Sequence, residues 1–333
     1  MNILFSTVGR RGYIVDYFRE QLPKGSVLIG TSDRNDCNSE FTSGFSHCDK
    51  SYIVPSIKNE REYIDKLLDI CKNEKVNILL SFYDYDTYIL SQYLDEFNGI
   101  GVQPVISSRE VNTIAFDKIE TFQFLTREGF YTPWTMTAEE INKKEIPSYP
   151  VIVKPRFGFG SNAISLAHNK EEVDFFLKYY DNEEMMVQEF IEGAEYSFDI
   201  LNDFHGKAVT AVVKRKMKMR SGETDQGYAI KSVHYRDWAL KLGNALKHIG
   251  PLDVDFFIKD NKPYILELNP RFGGGYPMTH LSGINFPKLL IDLAKGKLKP
   301  SDYLLYRDYD EGNAMVKDMV ILKDNCEVDN QLL

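Results

Sequence analysis

The chain has 333 residues, of which 43% are hydrophobic and 27% charged. This is the mix of a globular protein rather than a disordered or fibrous one, with length for two or three domains at roughly 100–200 residues each. Its formal net charge is −9, from 40 lysines and arginines against 49 acids, which argues against nucleic-acid binding because phosphate backbones need a basic face.

The N-terminal MNILFSTVGRRGY has too short an apolar run for a signal peptide. No stretch approaches the ~18 apolar residues of a membrane span. The four cysteines, Cys37, Cys48, Cys71 and Cys326, form no CxxC pair, so free thiols in a cytoplasmic protein are expected rather than a disulfide or zinc framework.

Residues 2–6 form a short apolar strand that ends in a Gly-containing turn. Residues 13–22 place Ile14, Val15, Tyr17, Phe18 and Leu22 at helical spacing. Strands are predicted at 26–30, 51–55 and 76–82. A helix over 63–71 carries Ile64, Leu67, Leu68 and Cys71 on one face. The β-α-β order predicts a doubly wound parallel sheet, whose ligands lie beyond the carboxyl ends of the strands. Arg10, Arg11, Asp33, Asp84 and Asp86 fall at such ends.

From about Ser107 the texture changes. A single helix is predicted over 110–128, then a stretch punctuated by Pro133, Pro147 and Pro150. Residues 151–166 read as strand, Gly-rich loop and strand, followed by a helix over 170–180. A strand-rich, antiparallel segment leads to a basic loop over 214–227, a helix over 237–249, and the acid-bearing strands PLDVDFFI and PYILELNPRFGG. There is no internal repeat.

Four segments carry the chemistry. Glu267 and Asn269 are two apart, so on one strand they share a face. A hairpin through KDNKP brings Asp255 beside Glu267, and the three offer hard oxygens to Mg²⁺. Solvent-facing strand acids are the alternative. Lys154 ends an apolar strand, after which Gly158 and Gly160 let backbone N–H groups close on an anion and Ser161 adds a hydroxyl; a Gly-rich hairpin turn fits equally. In VQEFIEGAEYSF, Gln188, Glu189, Phe190 and Ile191 offer backbone groups and an apolar wall to an adenine ring, and Glu195 an acceptor for ribose hydroxyls. An ordinary strand and turn is the alternative. Lys118 opens a helix, where a lone lysine is ordinarily solvated.

Together, in this order, DK, VKPRFGFGS, QEFIEGAE, DVDFF and LELNPRFGGG resemble the ATP-grasp superfamily, with a texture like that of the carbamoyl-phosphate-synthase-large-chain-like members. The resemblance implies an α/β and α+β fold: a doubly wound parallel pre-ATP-grasp domain (1–107), a two-lobed ATP-grasp domain (108–300, lobes about 108–186 and 187–300), and a C-terminal segment (301–333) packing on it. It implies that Lys118 and Lys154 hold ATP phosphates under the loop of Gly158, Gly160 and Ser161. Gln188, Glu189, Phe190 and Ile191 then form the adenine hinge and Glu195 binds ribose. Asp255, Glu267 and Asn269 ligate Mg²⁺ (or Mn²⁺), and Arg271 lies near the transferred phosphoryl group. Asp255 stands where the carbamoyl-phosphate synthases often carry glutamine or asparagine, which weakens the case for that particular reaction.

The implied activity is an ATP-dependent carboxylate–amine ligase working on small molecules. A carboxylate or carbamate kinase and a non-catalytic ATP-binding regulator are the alternatives, and a homodimer is the commonest oligomer. Lys214 and Arg220 are expected to face the acyl phosphate, with a solvated basic strand as the alternative. Arg10 or Arg11 is expected to hold a substrate carboxylate or phosphate. Asp84 and Asp86 are expected either to hold an amino group or to favour a helix N-terminus. His280 is assigned no role.

Overall fold

The computed structural model describes residues 1–33, 42–158, 163–180, 183–220 and 222–319. Cys37, Cys326, Gly160 and Ser161 lie outside these residues.

Five parallel strands, β1 (Asn2–Ser6), β2 (Leu28–Asp33), β3 (Lys50–Val54), β4 (Val76–Ser81) and β5 (Gln103–Pro104), run in the order β3-β2-β1-β4-β5. Helices α1 (Gly12–Arg19), α2 (Glu60–Asn73), α3 (Asp84–Leu90) and α4 (Leu94–Gly99) join them. Side chains alternate across a strand, so Ile3 and Phe5 enter one hydrophobic layer and Leu4 the other. The layer of Ile3 and Phe5 also contains Phe272, Tyr276 and Phe286. One face of the parallel sheet is therefore cemented to the C-terminal half. Gly12 permits α1 to pass close to the following 3-10 turn, since a Cβ there would lie 2.1 Å from the His47 ring.

The helix predicted over 110–128 is two helices, α5 (Arg109–Phe116) and α6 (Lys118–Arg127). Asp117 between them is extended (φ −97°, ψ 111°), and its carboxylate accepts from the Ile119 backbone N–H. A capping residue that satisfies an orphan donor ends one helix and begins another.

Next come β6 (Thr135–Thr137), α7 (Ala138–Ile141), β7 (Val151–Pro155), β8 (Ser165–Ala167), α8 (Lys170–Tyr179) and β9 (Met185–Glu189). Their strands form an antiparallel sheet, β6-β9-β7-β8. The second antiparallel sheet uses β10 (Glu195–Asn202), β11 (Ala208–Arg220), β12 (Glu223–Ile230), β13 (Gly250–Lys259), β14 (Lys262–Asn269) and β15 (Ala314–Val316), in the order β14-β13-β10-β11-β12-β15. Helix α9 (Val233–Leu246) packs Leu240 and Leu242 against Phe198 and Ile200 on one face of it. Helices α10 (Tyr276–Leu281) and α11 (Phe286–Ala294) follow the NPRFGGG turn.

The basic loop predicted over 214–227 is instead the β11–β12 ladder, interrupted only near its tip. Lys214 and Lys216 find carboxylates on neighbouring strands, so a run that reads as solvated is ordered as strand. No helix among the described residues is long and apolar enough to cross a membrane.

Candidate active site

Opposed residues in an antiparallel ladder project to the same face. The register aligns Lys214, Ser197, Asp255 and Glu267 in one row across β11, β10, β13 and β14. The next row aligns Asp199, Asp253 and Asn269. Lys216 and Glu195 lie one step the other way. The face of the six-stranded sheet opposite α9 is thus a grid of ionisable groups.

The grid is internally paired. Lys216 Nζ lies 2.6 Å from both Asp255 Oδ1 and Glu195 Oε1. Lys214 Nζ, fully buried, lies 2.7 Å from Asp199 Oδ1 and 3.6 Å from Asp253 Oδ1. Arg271 Nη1 reaches Asp253 Oδ2 at 3.1 Å, and its Nε reaches Asp84 of α3 at 3.1 Å. Gly273 is required here, because a Cβ would lie 2.3 Å from the Asp253 carboxyl carbon. Burial pushes Asp253 up, but Lys214 and Arg271 outweigh it and hold the carboxyl at about 2. Asp255 goes the other way, to about 7: burial and the carboxylates of Asp253 and Glu195 outweigh Lys216.

Two hollows meet at this grid. A narrow crevice is lined by Lys118, Gly158, Phe116, Asn112, Glu267 and Asn269. A cavity of about 280 Å³ is lined by Glu195, Lys216, Asp255, Glu267, Asn269 and Arg271, among others. Glu267 and Asn269 line both.

Lys118 is the first residue of α6, where a cation opposes the helix dipole, and it is nearly buried rather than solvated. Its Nζ donates to the Gly158 carbonyl at 2.7 Å, and its backbone N–H to the Arg156 carbonyl at 3.3 Å. Arg156 in turn grips Asp117 with two parallel hydrogen bonds of 2.8 and 2.5 Å. This bidentate pair ties the cap of α6 to the end of β7, so Lys118, Lys154 and Gly158 hold one geometry. Asp117→Ala is therefore expected to raise the KM for ATP by about tenfold, the equivalent of one strong hydrogen-bonded contact. Steady-state kinetics would check this, and an unchanged KM would remove the pair from the site.

Lys154 is buried, and burial lowers it from 10.5 to about 8, with Glu267 opposing and Lys118 adding to the fall. A phosphate anion beside it would restore the charged form. ATP affinity is then expected to fall as pH rises above about 8 in wild type. The decline should be lost in Lys154→Arg, since arginine stays protonated. Calorimetric titration from pH 7 to 10 checks this, and a flat wild-type profile would contradict it.

The oxygen set Asp255, Glu267 and Asn269 fits Mg²⁺ or Mn²⁺. It contains no thiol or imidazole. Burial, and after it the neighbouring carboxylates, raise Asp255, and a divalent cation would offset both. Among the described residues no three His, Cys, Asp or Glu side chains converge as a metal cage. Two acids and an amide match the few protein ligands that Mg²⁺ accepts when phosphates and water supply the rest.

The connection from β9 to β10 joins the two antiparallel sheets. Gln188 is buried and donates from Nε2 to Thr135 Oγ1 at 3.0 Å; Glu189 Oε1 lies 2.8 Å from Lys259 Nζ. Ile191 is buried, while Phe190 is exposed.

The other expected site residues are held by internal partners, although Arg11 lines the cavity of Asp255 and Asp84 lines the narrow crevice. Lys214 is fully buried within the grid, where its charge balances Asp199 and Asp253, and it does not line the cavity of Asp255 and Arg271. Asp86 is fully buried, accepting from Tyr63 Oη at 2.8 Å and Thr7 Oγ1 at 3.2 Å, so it is internal and not a ligand for a substrate amine. Asp84 is in the first turn of α3 and is occupied by Arg271. Arg11 donates to the carbonyls of Phe82 and Phe272, 2.8 Å each, and to Glu223 at 3.0 Å, riveting the parallel sheet to the NPRF turn. Arg10 and Arg220 line a different, larger cavity.

Four functional candidates were not singled out from the sequence: Lys216, Asp253, Asp117 and Arg156. The alternation in KRKMKMR and DVDFF carried a signal for the first two, since residues two apart on strands share the face of Lys214 and Asp255. The Asp117–Arg156 pair joins residues 39 apart in the chain, and nothing local announces it.

Comparison with known proteins agrees with this architecture. Residues 115–275 match the ATP-grasp domain family, and residues 3–105 match the family described as PylC-like, N-terminal domain. The carbamoyl phosphate synthase large chain of Pyrococcus furiosus is 26% identical over 245 residues, covering 68% of this chain and 23% of that protein. This chain spans about a quarter of the length of the curated relatives it matches. Among solved structures, the biotin carboxylase of Campylobacter jejuni superposes with a TM-score of 0.71 at 16% identity, covering 94% of this chain and 74% of that one. The N5-carboxyaminoimidazole synthetase of Staphylococcus aureus, complexed with ADP, also gives 0.71, at 15% identity, covering 94% and 80%.

Proposed function

We propose, from the premise that this chain belongs to the ATP-grasp superfamily, that it is an ATP-dependent ligase joining a small carboxylate to an amine through an acyl phosphate. The observation that carries the reading is the sharing of Glu267 and Asn269 by two hollows. Glu195 lines the cavity of about 280 Å³ and Lys118 and Gly158 the narrow crevice, so the triphosphate would run from that cavity across Glu267 and Asn269 toward Lys118 and Lys154. The reacting carboxylate lies beside Arg271 in the same cavity. The 188–191 connection holds the adenine, and Glu195, fixed by Lys216, accepts from the ribose.

Both reactants are anionic and repel each other until cations neutralise them. Asp255, Glu267 and Asn269 would hold Mg²⁺, which when bound neutralises and polarises the phosphates. Lys118 and Lys154 hold the tail in line, and Arg271 offsets charge on the transferred group. A carboxylate oxygen attacks the γ-phosphorus, the bond to the bridging oxygen breaks, and ADP leaves. The amine nitrogen then attacks the acyl carbon, the C–O bond to phosphate breaks, and the nitrogen releases a proton. No protein nucleophile is needed.

The carbamoyl phosphate synthase relatives favour a second reading, in which bicarbonate is the carboxylate. A screen of ADP release with heavy-oxygen-labelled carboxylates, bicarbonate included, tests both. One label transferred to phosphate marks the acyl phosphate, and the label source identifies the carboxylate. ADP release without label transfer would refute it, as would ATP binding that never yields ADP under any substrate.

A further inference from the structure

A cavity of about 500 Å³ lies beside the one that holds the acids, bounded by α1, β12, α10 and the C-terminal strand β15. Glu223 and Thr224 line both cavities, so they adjoin. The larger one is neither uniformly charged nor uniformly apolar. Lys317, just after β15, places Nζ 3.2 Å from Glu223 Oε2, 3.4 Å from Tyr13 Oη and 5.2 Å above the Tyr13 ring. Arg220 Nη2 lies 3.0 Å from Asp225 Oδ2. An ammonium has three donors and a guanidinium five. Among the described residues these bonds occupy two donors of Lys317 and one of Arg220. Glu223 stays ionised at about 2 although burial opposes it, because Arg11 and Lys317 flank it. Tyr17, Pro277, Leu281 and Met315 supply an apolar wall.

We propose that this cavity binds the amine substrate, and that this substrate is a primary amine bearing both an anionic group and an apolar body. The inference rests on the ligase reading and deepens it. The anionic group meets the remaining donors of Lys317 and Arg220. The ammonium faces Glu223, at the boundary with the cavity of Asp255 and Arg271, which puts the nitrogen on the side where the acyl group forms. The apolar body lies along Tyr17, Leu281 and Met315. A volume of this size is that of a small organic ligand; ammonia would use almost none of it. Lys317 makes the C-terminal strand a working wall of the site.

The test is calorimetry on the full chain with Mg²⁺, with and without a non-hydrolysable ATP analogue, using phenylalanine, phenethylamine, phenylpropanoate and glycine as probes. Phenylalanine should bind, and each of the other three should bind at least about tenfold more weakly, one recognition element being lost each time. Lys317→Met should weaken phenylalanine about tenfold, weaken phenethylamine by less than that, and leave the analogue's affinity unchanged. The proposal is overturned if glycine or phenethylamine matches phenylalanine, if none of the four saturates, or if Lys317→Met changes nothing. Binding of the analogue is read separately. If it fails while phenylalanine binds, the ligase reading falls and the cavity stands only as a binding site for that amine.

Discussion

In Glu267→Gln, turnover falls on the order of 10²–10³-fold while melting stays within a few degrees of wild type. The size follows from losing several kcal/mol of charge stabilisation at a metal–phosphate site, at 1.36 kcal/mol per decade of rate. Glu267 lies opposite Asp255 in the ladder and lines both hollows. Its charge acts on the buried Lys154 more than that of Asp255 does, and would act on the metal as well. ADP release titrated with MgCl2 or MnCl2 is the measurement. The half-saturating metal concentration should rise, and excess metal should recover part of the rate. A variant as fast as wild type would take Glu267 out of the reaction.

Lys214→Met acts on the fold instead. Removing one member of a buried charge cluster leaves its partners uncompensated and costs about 3–5 kcal/mol. Here the partners are Asp199 and Asp253, with Thr279 donating to Asp199 from α10. Burial already raises Asp199, with Lys214 opposing. Without the lysine its folded value rises further above the unfolded one. A carboxylate whose folded value is raised loses stability as pH rises through the unfolded range. The gap between variant and wild type should therefore narrow as pH falls toward 4. Urea unfolding followed by circular dichroism at pH 4 to 8 checks both magnitude and sign. A cost below 1 kcal/mol, or a gap independent of pH, would show that the ion pairs are not what holds these strands.

The two effects separate layers of one sheet face. On the ligase reading, Glu267, Asn269 and Asp255 would form the surface that meets ligand. Asp253, which lines the cavity of Asp255, pairs with Lys214 and Arg271, Lys214 and Asp199 are buried beside it, and Arg271 bridges to Asp84 at the start of α3. The pairing of Arg271 with both domains fixes its guanidinium before any substrate arrives, the preorganisation that phosphoryl transfer needs.

Much of the fold was legible because its signals are local. Strands β1, β2 and β4 each carry an apolar run, and α1 and α2 bury residues at helical spacing, Ile14, Val15 and Phe18 in one and Ile64, Leu67 and Leu68 in the other. The strands of Asp255 and Glu267 alternate visibly. The errors came where long-range partners override local pattern. KRKMKMR looks like a solvated loop until Asp199 and Asp255 are placed across from it. The run 110–128 looks like one helix until Arg156 arrives to bind Asp117. Asp86 looks available at a strand end until Tyr63 closes over it.

What the sequence by itself determined is most of the longer strands and helices, the parallel-then-antiparallel order, and the types of side chain that could bind a triphosphate and a divalent cation, because periodicity and side-chain chemistry are properties of neighbouring residues. Only the tertiary structure decided which charges face ligand and which are buried as counterions. That depends on cross-strand register and on burial, and both arise from residues distant in the chain meeting in a medium where an unpaired charge is too costly to leave alone.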